Sequence, residues 1–211
     1  MGNLRSGIAV VEGKWWKHSN ISVQSFFELI SDIHYDNPHA YYYEMFCDAS
    51  ALRSVVGRVS KMRGVRYVYV ATHGTDNGIY GSDGVLISRA QLKNILLAAT
   101  ALDGLFMGSC WFTDADNADF LLNPPNNNGA RPPMTWIAGY TTPADWIDSS
   151  AMDMYFWNRF LKFSDRPPRR RIEDTAHVIR KVAPGLVKRL GMRIFVRRMG
   201  GGGLVNLLED V

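Results

Sequence analysis

The sequence has no apolar run long enough to cross a bilayer. The longest, residues 95–102, is interrupted by Thr100 and stopped by Asp103, far short of the ~20 residues that a spanning helix needs. No transmembrane segment is expected. Cysteine is scarce: Cys47 and Cys110 allow one disulfide at most, which excludes a disulfide-built scaffold and leaves both thiols reduced in an intracellular chain. The start holds one Arg and a five-residue apolar stretch before Glu12 and Lys14, too little for the core of a secretory leader, so a cytoplasmic protein is expected. Metal-binding patterns are missing as well. Neither His-Glu-x-x-His nor paired Cys-x-x-Cys occurs, and the spacing of His34, His39 and Cys47 fits no zinc site. The acids Asp114, Asp116 and Asp119 lack the central glycine and the closing glutamate of a calcium loop. No metal and no cofactor are expected, and without a Gly-x-Ser-x-Gly elbow serine hydrolase chemistry has no support.

What is present suits a globular protein. Of 211 residues, 46% are hydrophobic and 21% charged, enough to build a core and too apolar for wholesale disorder, and the length fits one compact domain. Charge is unevenly spread. Residues 166–211 hold 11 basic against 4 acidic residues, a net of +7, while residues 1–165 hold 13 against 16, a net of −3. A basic tail attracts nucleic acid or anionic membrane, but these charges alternate with Ile172, Ala176, Ile179 and Val182 at helical spacing, the pattern of a solvated helix face. No nucleic-acid partner is expected. The division anticipated is a core over residues 1–165 and a basic C-terminal appendage over 166–211, packed on that core within the same domain.

Hydrophobic periodicity predicts alternating strands and helices. Strand-like runs occupy 7–15, 40–47, 66–71, 104–108 and 136–140, with a last short one at 192–198. Helical stripes occupy 22–33, 51–62 and 90–99; residues 148–163 form a strongly apolar, aromatic segment, and 173–182 are amphipathic. Regular βαβα order implies a mainly parallel sheet covered by helices on both faces. Pro-Pro pairs mark loops at 122–133 and 165–168. The first is long enough to be a functional loop, and Gly200 to Gly203 reads as a flexible joint.

Two of the buried strand runs end in chemistry. Val68-Tyr69-Val70-Ala71-Thr72 leads into His73-Gly74, and Leu105-Phe106-Met107-Gly108 leads into Ser109-Cys110. In an open parallel α/β sheet, sites lie just past the carboxyl ends of strands. If these two strands are neighbours, their ends lie ~5 Å apart and the side chains converge. The thiolate is the nucleophile, and an adjacent imidazole takes the proton of a thiol whose ordinary pKa is ~8.5. Gly74, lacking a Cβ, lets its N–H approach a developing oxyanion, with the Cys110 N–H as second donor. Cys47, within a tyrosine-rich strand, reads as structural.

At these residues the sequence resembles the caspase-like (clan CD) cysteine peptidases, the group of caspases, metacaspases, gingipains, legumains, separases and bacterial CHAT-domain proteases. The match spans about residues 7–165: a strand ending in His-Gly, a turn-rich hairpin at Gly78 to Gly84, a strand ending in Ser-Cys, and then Trp136 to Tyr140 followed by Asp145-Trp146, as in CHAT-type members. The resemblance implies a caspase-like, three-layer α/β/α fold. It also implies the dyad His73 and Cys110 with the Gly74 amide in the oxyanion hole, and a protein or peptide substrate. Compact bacterial members often act on the product of a neighbouring gene, including pore-forming gasdermins in antiviral cell death, which implies a regulated protein substrate. Unregulated proteolysis would harm the cell, so control by a regulatory partner, by a zymogen-like loop, for which residues 122–133 are the candidate, or by proximity is expected. The residues around Cys110 are Gly-Ser-Cys-Trp-Phe, where animal caspases carry Gln-Ala-Cys-Arg-Gly and many metacaspases Asp-Ser-Cys-His. A preference for aspartate at the cut bond therefore does not carry over. Asp145, Asp114 and Asp116 are the candidate acids of a pocket selecting Arg or Lys; the acids at 114–119 equally suit the start of a helix. The competing reading is a catalytically inactive caspase-fold scaffold that binds a partner through its aromatic surface or basic tail.

Overall fold

The computed structural model describes residues 6–14, 21–99, 101–124, 132–198 and 203–209. The chain opens with β1 (Ile8–Gly13), α1 (Gln24–Tyr35), β2 (Tyr42–Phe46), α2 (Ala49–Val59) and β3 (Tyr67–Ala71). A small excursion follows through β4 (Gly74–Thr75), β5 (Gly78–Tyr80) and β6 (Leu86–Ser88). The alternation then resumes with α3 (Arg89–Leu97), β7 (Gly104–Gly108), α4 (Ala115–Leu122), β8 (Trp136–Tyr140) and α5 (Trp146–Lys162). The last elements are α6 (Pro168–Val182), α7 (Pro184–Leu190), β9 (Met192–Arg197) and β10 (Leu204–Asn206).

Among the described residues, seven strands form one sheet in the order β10-β9-β8-β7-β3-β1-β2, and β4, β5 and β6 form a separate antiparallel sheet. Strands β2, β1, β3, β7 and β8 are mutually parallel; β9 and β10 run antiparallel to their neighbours. The central strands are buried on both faces, which is why they read as unbroken apolar runs. Side chains alternate between two cores. Tyr67 and Tyr69 face the layer of α1, α5, α6 and α7, while Val68 and Val70 face α2, α3 and α4. This is the three-layer α/β/α sandwich that the periodicity predicts.

The core on the α5 side is aromatic. Phe106 packs on Phe156 with ring centroids 4.8 Å apart, Tyr67 on Phe160 at 4.7 Å and Phe27 on Tyr69 at 5.0 Å, geometries that add ~0.5–1.5 kcal/mol per pair beyond burial. Residues past 166 contribute to this core. Strand β9 pairs with β8, and Arg171 of α6 is buried, its guanidinium 4.0 Å from the Phe160 ring centroid and its Nε donating to the Phe160 carbonyl. The solvated helix face read from the sequence thus has Arg171 as its exception: an aromatic face and a carbonyl take the cation where water does not. Burial pulls its pKa below the ordinary arginine value.

Element ends also differ. Strand β2 stops at Phe46, so Cys47 lies just past it and is exposed, because Asp48 caps α2 by accepting from the Ala51 N–H at 2.7 Å and turns the chain there. The proline-rich loop falls outside the described residues at 125–131, as does the glycine tract at 200–202.

Two glycines test this packing with opposite sign. A Cβ on Gly104 of β7 would fall inside the buried indole of Trp136, so Gly104→Ala is expected to destabilise by about 1–3 kcal/mol or more. Gly57 of α2 meets nothing, and Gly57→Ala is expected to stabilise by ~0.5–1 kcal/mol. Urea midpoints of the two variants should move in opposite directions from the parent.

Candidate active site

Strands β3 and β7 are adjacent and parallel, in a register that pairs Ala71 with Gly108. His73 and Cys110 each lie two residues beyond that pair, so the register brings them out level at one edge of the sheet. Both line a cavity of about 340 Å³. Cys110 is partly buried and His73 is exposed. A Cβ on Gly74 would stand 2.7 Å from the Cys110 carbonyl oxygen and 2.8 Å from the Ser109 Cβ. Only glycine lets the histidine loop lie this closely on the cysteine loop. Immediately after the cysteine, Trp111, an exposed residue, adopts a left-handed backbone (φ 57°), turning the chain sharply away from β7. The loop after β8 completes the surround: the Ala144 N–H donates to Cys110 Sγ at 3.3 Å, a donor suited to an anionic sulfur.

The two loops are tied by a residue outside the motifs. Asn117 of α4 is buried, and its Nδ2 donates to the Asp76 carbonyl at 2.7 Å and to the Phe112 carbonyl at 3.0 Å. Asp76 belongs to the hairpin after His73 and Phe112 to the turn after Cys110, so one amide spans both. The Arg89 guanidinium donates to its Oδ1 at 3.4 Å, and the Thr113 N–H bonds the Tyr140 carbonyl at 3.0 Å. With these bonds the buried amide and the loop carbonyls are satisfied rather than left orphaned.

Asp153 of α5, 5% exposed, lines the same cavity. The Tyr69 hydroxyl donates to its Oδ2 at 2.5 Å and the Tyr140 hydroxyl to its Oδ1. Gly108 makes room for this arrangement, since a Cβ there would collide with the Tyr69 hydroxyl. Burial pushes the Asp153 carboxyl up to about 7 against the opposing pull of the two hydroxyl donors. The same burial, together with the Asp153 charge, holds the Tyr69 and Tyr140 phenols well above their ordinary value.

The residues singled out from sequence separate into two groups. His73, Cys110 and Asp145 line the cavity, and Gly74 abuts the cysteine backbone. The Asp145 carboxylate caps α5, accepting from the N–H groups of Ile147 at 2.9 Å and Asp148 at 3.1 Å. Asp114 caps α4 by accepting from the Asn117 N–H at 2.7 Å, and Asp116 lies exposed in the first turn of that helix. Neither is among the residues lining the cavity. Sequence reasoning missed Asp153, Tyr69 and Tyr140. A signal for the first existed: Asp153 lies on the inward stripe of α5 with Met152, Phe156, Trp157 and Phe160, where an acid is out of place unless paired or used. Among the described residues, no group of three or more His, Cys, Asp or Glu stands where it could hold a metal ion, and no helix is long and apolar enough to cross a membrane.

No protein-family model and no curated protein matches the chain. A solved structure of a secreted C11 cysteine protease from Bacteroides thetaiotaomicron, in complex with an irreversible peptide inhibitor, aligns with it at a TM-score of 0.53 and 12% identity, over 90% of this chain and 65% of that one. The two share a fold. The mainly parallel sheet flanked by helices is thus the caspase-like architecture that the sequence resemblance implies. This chain spans only 65% of the length of that protease, and at 12% identity the likeness is one of fold.

Asp153 also sets a pH dependence of stability. Its carboxyl ionises at 3.8 ordinarily and at about 7 in the folded protein, so between those values the folded state holds the extra proton. Stability therefore falls as pH rises through this window, by a few kcal/mol in all. Urea unfolding of the parent and of Asp153→Asn across the window should show the variant losing that fall, with the two curves converging toward acid.

Proposed function

We propose that the chain is a cysteine endopeptidase. Cys110 Sγ attacks the carbonyl carbon of the scissile bond while its proton passes to His73. The tetrahedral oxyanion takes hydrogen bonds from the Gly74 and Cys110 N–H groups. As the C–N bond breaks, His73 returns the proton to the leaving amine; water, deprotonated by His73, then attacks the thioester and releases the carboxylate and the free thiol. The observation that carries this reading is the shared cavity: a free cysteine and a histidine, each two residues past a paired strand end, open onto one concave space.

In this reading residues 1–165 are the catalytic core, and 166–211 belong to the same domain, supported by the pairing of β9 on β8 and the seat of Arg171 in the aromatic core. The finer assignment rests on the resemblance to compact bacterial CHAT-type members. It makes the substrate a protein encoded nearby, such as a pore-forming gasdermin, cleaved in the cytoplasm under control of a regulatory partner during antiviral defence.

A peptidyl chloromethyl ketone should label Cys110 and leave Cys47 unmodified. Cys110→Ala should abolish labelling and cleavage, and His73→Ala should lower kcat/KM by about 10³-fold or more, while Cys47→Ser keeps both. Cleavage that survives Cys110→Ala would sink the proposal. A scaffold would instead bind its partner equally well in parent, Cys110→Ala and His73→Ala proteins, with no cleavage by any of them.

A further inference from the structure

The segment that carries Ala144 is held from outside the cavity. It runs from the end of β8 to the start of α5 as Thr141-Thr142-Pro143-Ala144-Asp145, and the turn between α7 and β9 meets it at Gly191. The Gly191 carbonyl accepts twice, from the Thr141 N–H and from the Thr141 hydroxyl, each at 3.0 Å. The Thr142 hydroxyl donates to the Arg189 carbonyl at 3.4 Å, and the Arg189 guanidinium pairs with Asp148, in the first turn of α5, at 2.7 Å. Gly191 is buried, with a left-handed backbone (φ 57°) that glycine adopts without penalty. The approach is close: a Cβ there would stand 2.4 Å from the Thr141 Oγ1 and 2.8 Å from the Thr142 Cγ2. Pro143 then fixes its own φ and biases Thr142 toward extended backbone. Little freedom therefore separates the two threonines from the Ala144 N–H, which donates to Cys110 Sγ at 3.3 Å.

Resting on the reading of Cys110 as a nucleophile, we propose that Gly191, acting through Thr141 and Thr142, holds the Ala144 N–H on the Cys110 sulfur and thereby sets the reactivity of the thiol. Gly191 and Thr141 are positioning residues in this assignment, since neither lines the cavity. A hydrogen bond donated to sulfur favours thiolate over thiol, and a bond to a charged acceptor is stronger than one between neutral groups. An amide on a loop free to swing would lose most of this gain, because hydrogen bonds weaken steeply once misaligned. The brace at Gly191 fixes the height of the loop. Strand pairing adds to it: Tyr140 of β8 lies opposite Met192 of β9, so the end of one strand and the start of the other flank the contact. The site thus depends on the basic segment past residue 166, although every residue lining the cavity comes from 1–165. The other titratable groups on that cavity are His73, Tyr69, Tyr140, Asp145 and Asp153, and all of them stay when the brace alone is altered.

Alkylation by iodoacetamide, followed at Cys110 by peptide mass mapping, reads the thiol without a substrate: the sulfur displaces iodide from carbon and the thiol proton leaves to solvent. A donated N–H raises the thiolate fraction and lowers the nucleophilicity of that thiolate by a smaller factor. Replacing the Ala144 amide by an ester removes the N–H and keeps the side chain. It should slow alkylation about threefold near neutral pH and speed it about threefold where the thiol is fully ionised. Gly191→Ala should move the pH profile of alkylation in the same sense, and Thr141→Val should do so by less. Cys47, mapped in the same molecules, is the reference and should not change. Val187→Ala thins the buried packing of α7 and leaves the brace intact; it should lower the urea midpoint and keep the parent profile. The same shift in Val187→Ala, or a parent profile in the ester, overturns the assignment, and the ester keeps that test open should Gly191→Ala not fold. An unchanged profile in an ester protein that still cleaves peptide through Cys110 removes the brace and leaves the peptidase reading in place. A shifted profile in variants of a protein that cleaves nothing supports the brace and removes the peptidase reading instead.

Discussion

The parallel pairing of β3 with β7 is the constraint on which the site depends. Had the two strands slipped by one residue, every side chain on one of them would change faces and the buried tyrosines and valines would exchange layers. The two cores therefore hold the register. Because it pairs Ala71 with Gly108, two segments separated by more than thirty residues leave the sheet at the same height. The closeness of Gly74 to Ser109 and Cys110 is the local result. No side chain has to be flexible for the histidine and the cysteine to share a cavity; the backbone ladder sets their level before either side chain turns.

Beneath that edge the aromatic layer provides a stiff support. Helix α5 brings Phe156, Trp157 and Phe160 onto the sheet, and the same turn spacing places Asp153 in the cavity that Cys110 lines. The acid is an unfavourable thing to bury, and its two hydroxyl partners offset only part of the cost. A group kept at such expense in an otherwise apolar stripe is typical of a place where stability yields to use.

How much of this could be read beforehand follows from which features leave a local trace. Strand β3 announced itself because burial on both faces requires an unbroken apolar run, and the His-Gly and Ser-Cys pairs stood out because each ends such a run. The hairpin after His73 was legible from its glycines. Asp153 was not singled out, since its meaning depends on α5 crossing the ends of β3 and β8, a fact of tertiary packing. Ala144 was invisible for another reason: the group that meets the sulfur is a backbone N–H, and every residue but proline has one. Asp114 and Asp116 drew attention through closeness to Cys110 in sequence, yet the turn at Trp111 carries the chain away and spends the first of them on a helix end. Helix α7, of seven residues beginning Pro-Gly, is too short to show a period.

The bonds of Asn117 have a consequence for how the site can open. An amide nitrogen that serves one carbonyl from the histidine side and one from the cysteine side has a fixed span. Drawing either loop back by an ångström breaks a bond whose donor is sealed from water, and the lost partner has no solvent substitute. Partial separation is therefore the least favourable arrangement. The hairpin and the cysteine turn, though they come from different sheets and distant parts of the chain, are held to one spacing by a single buried amide.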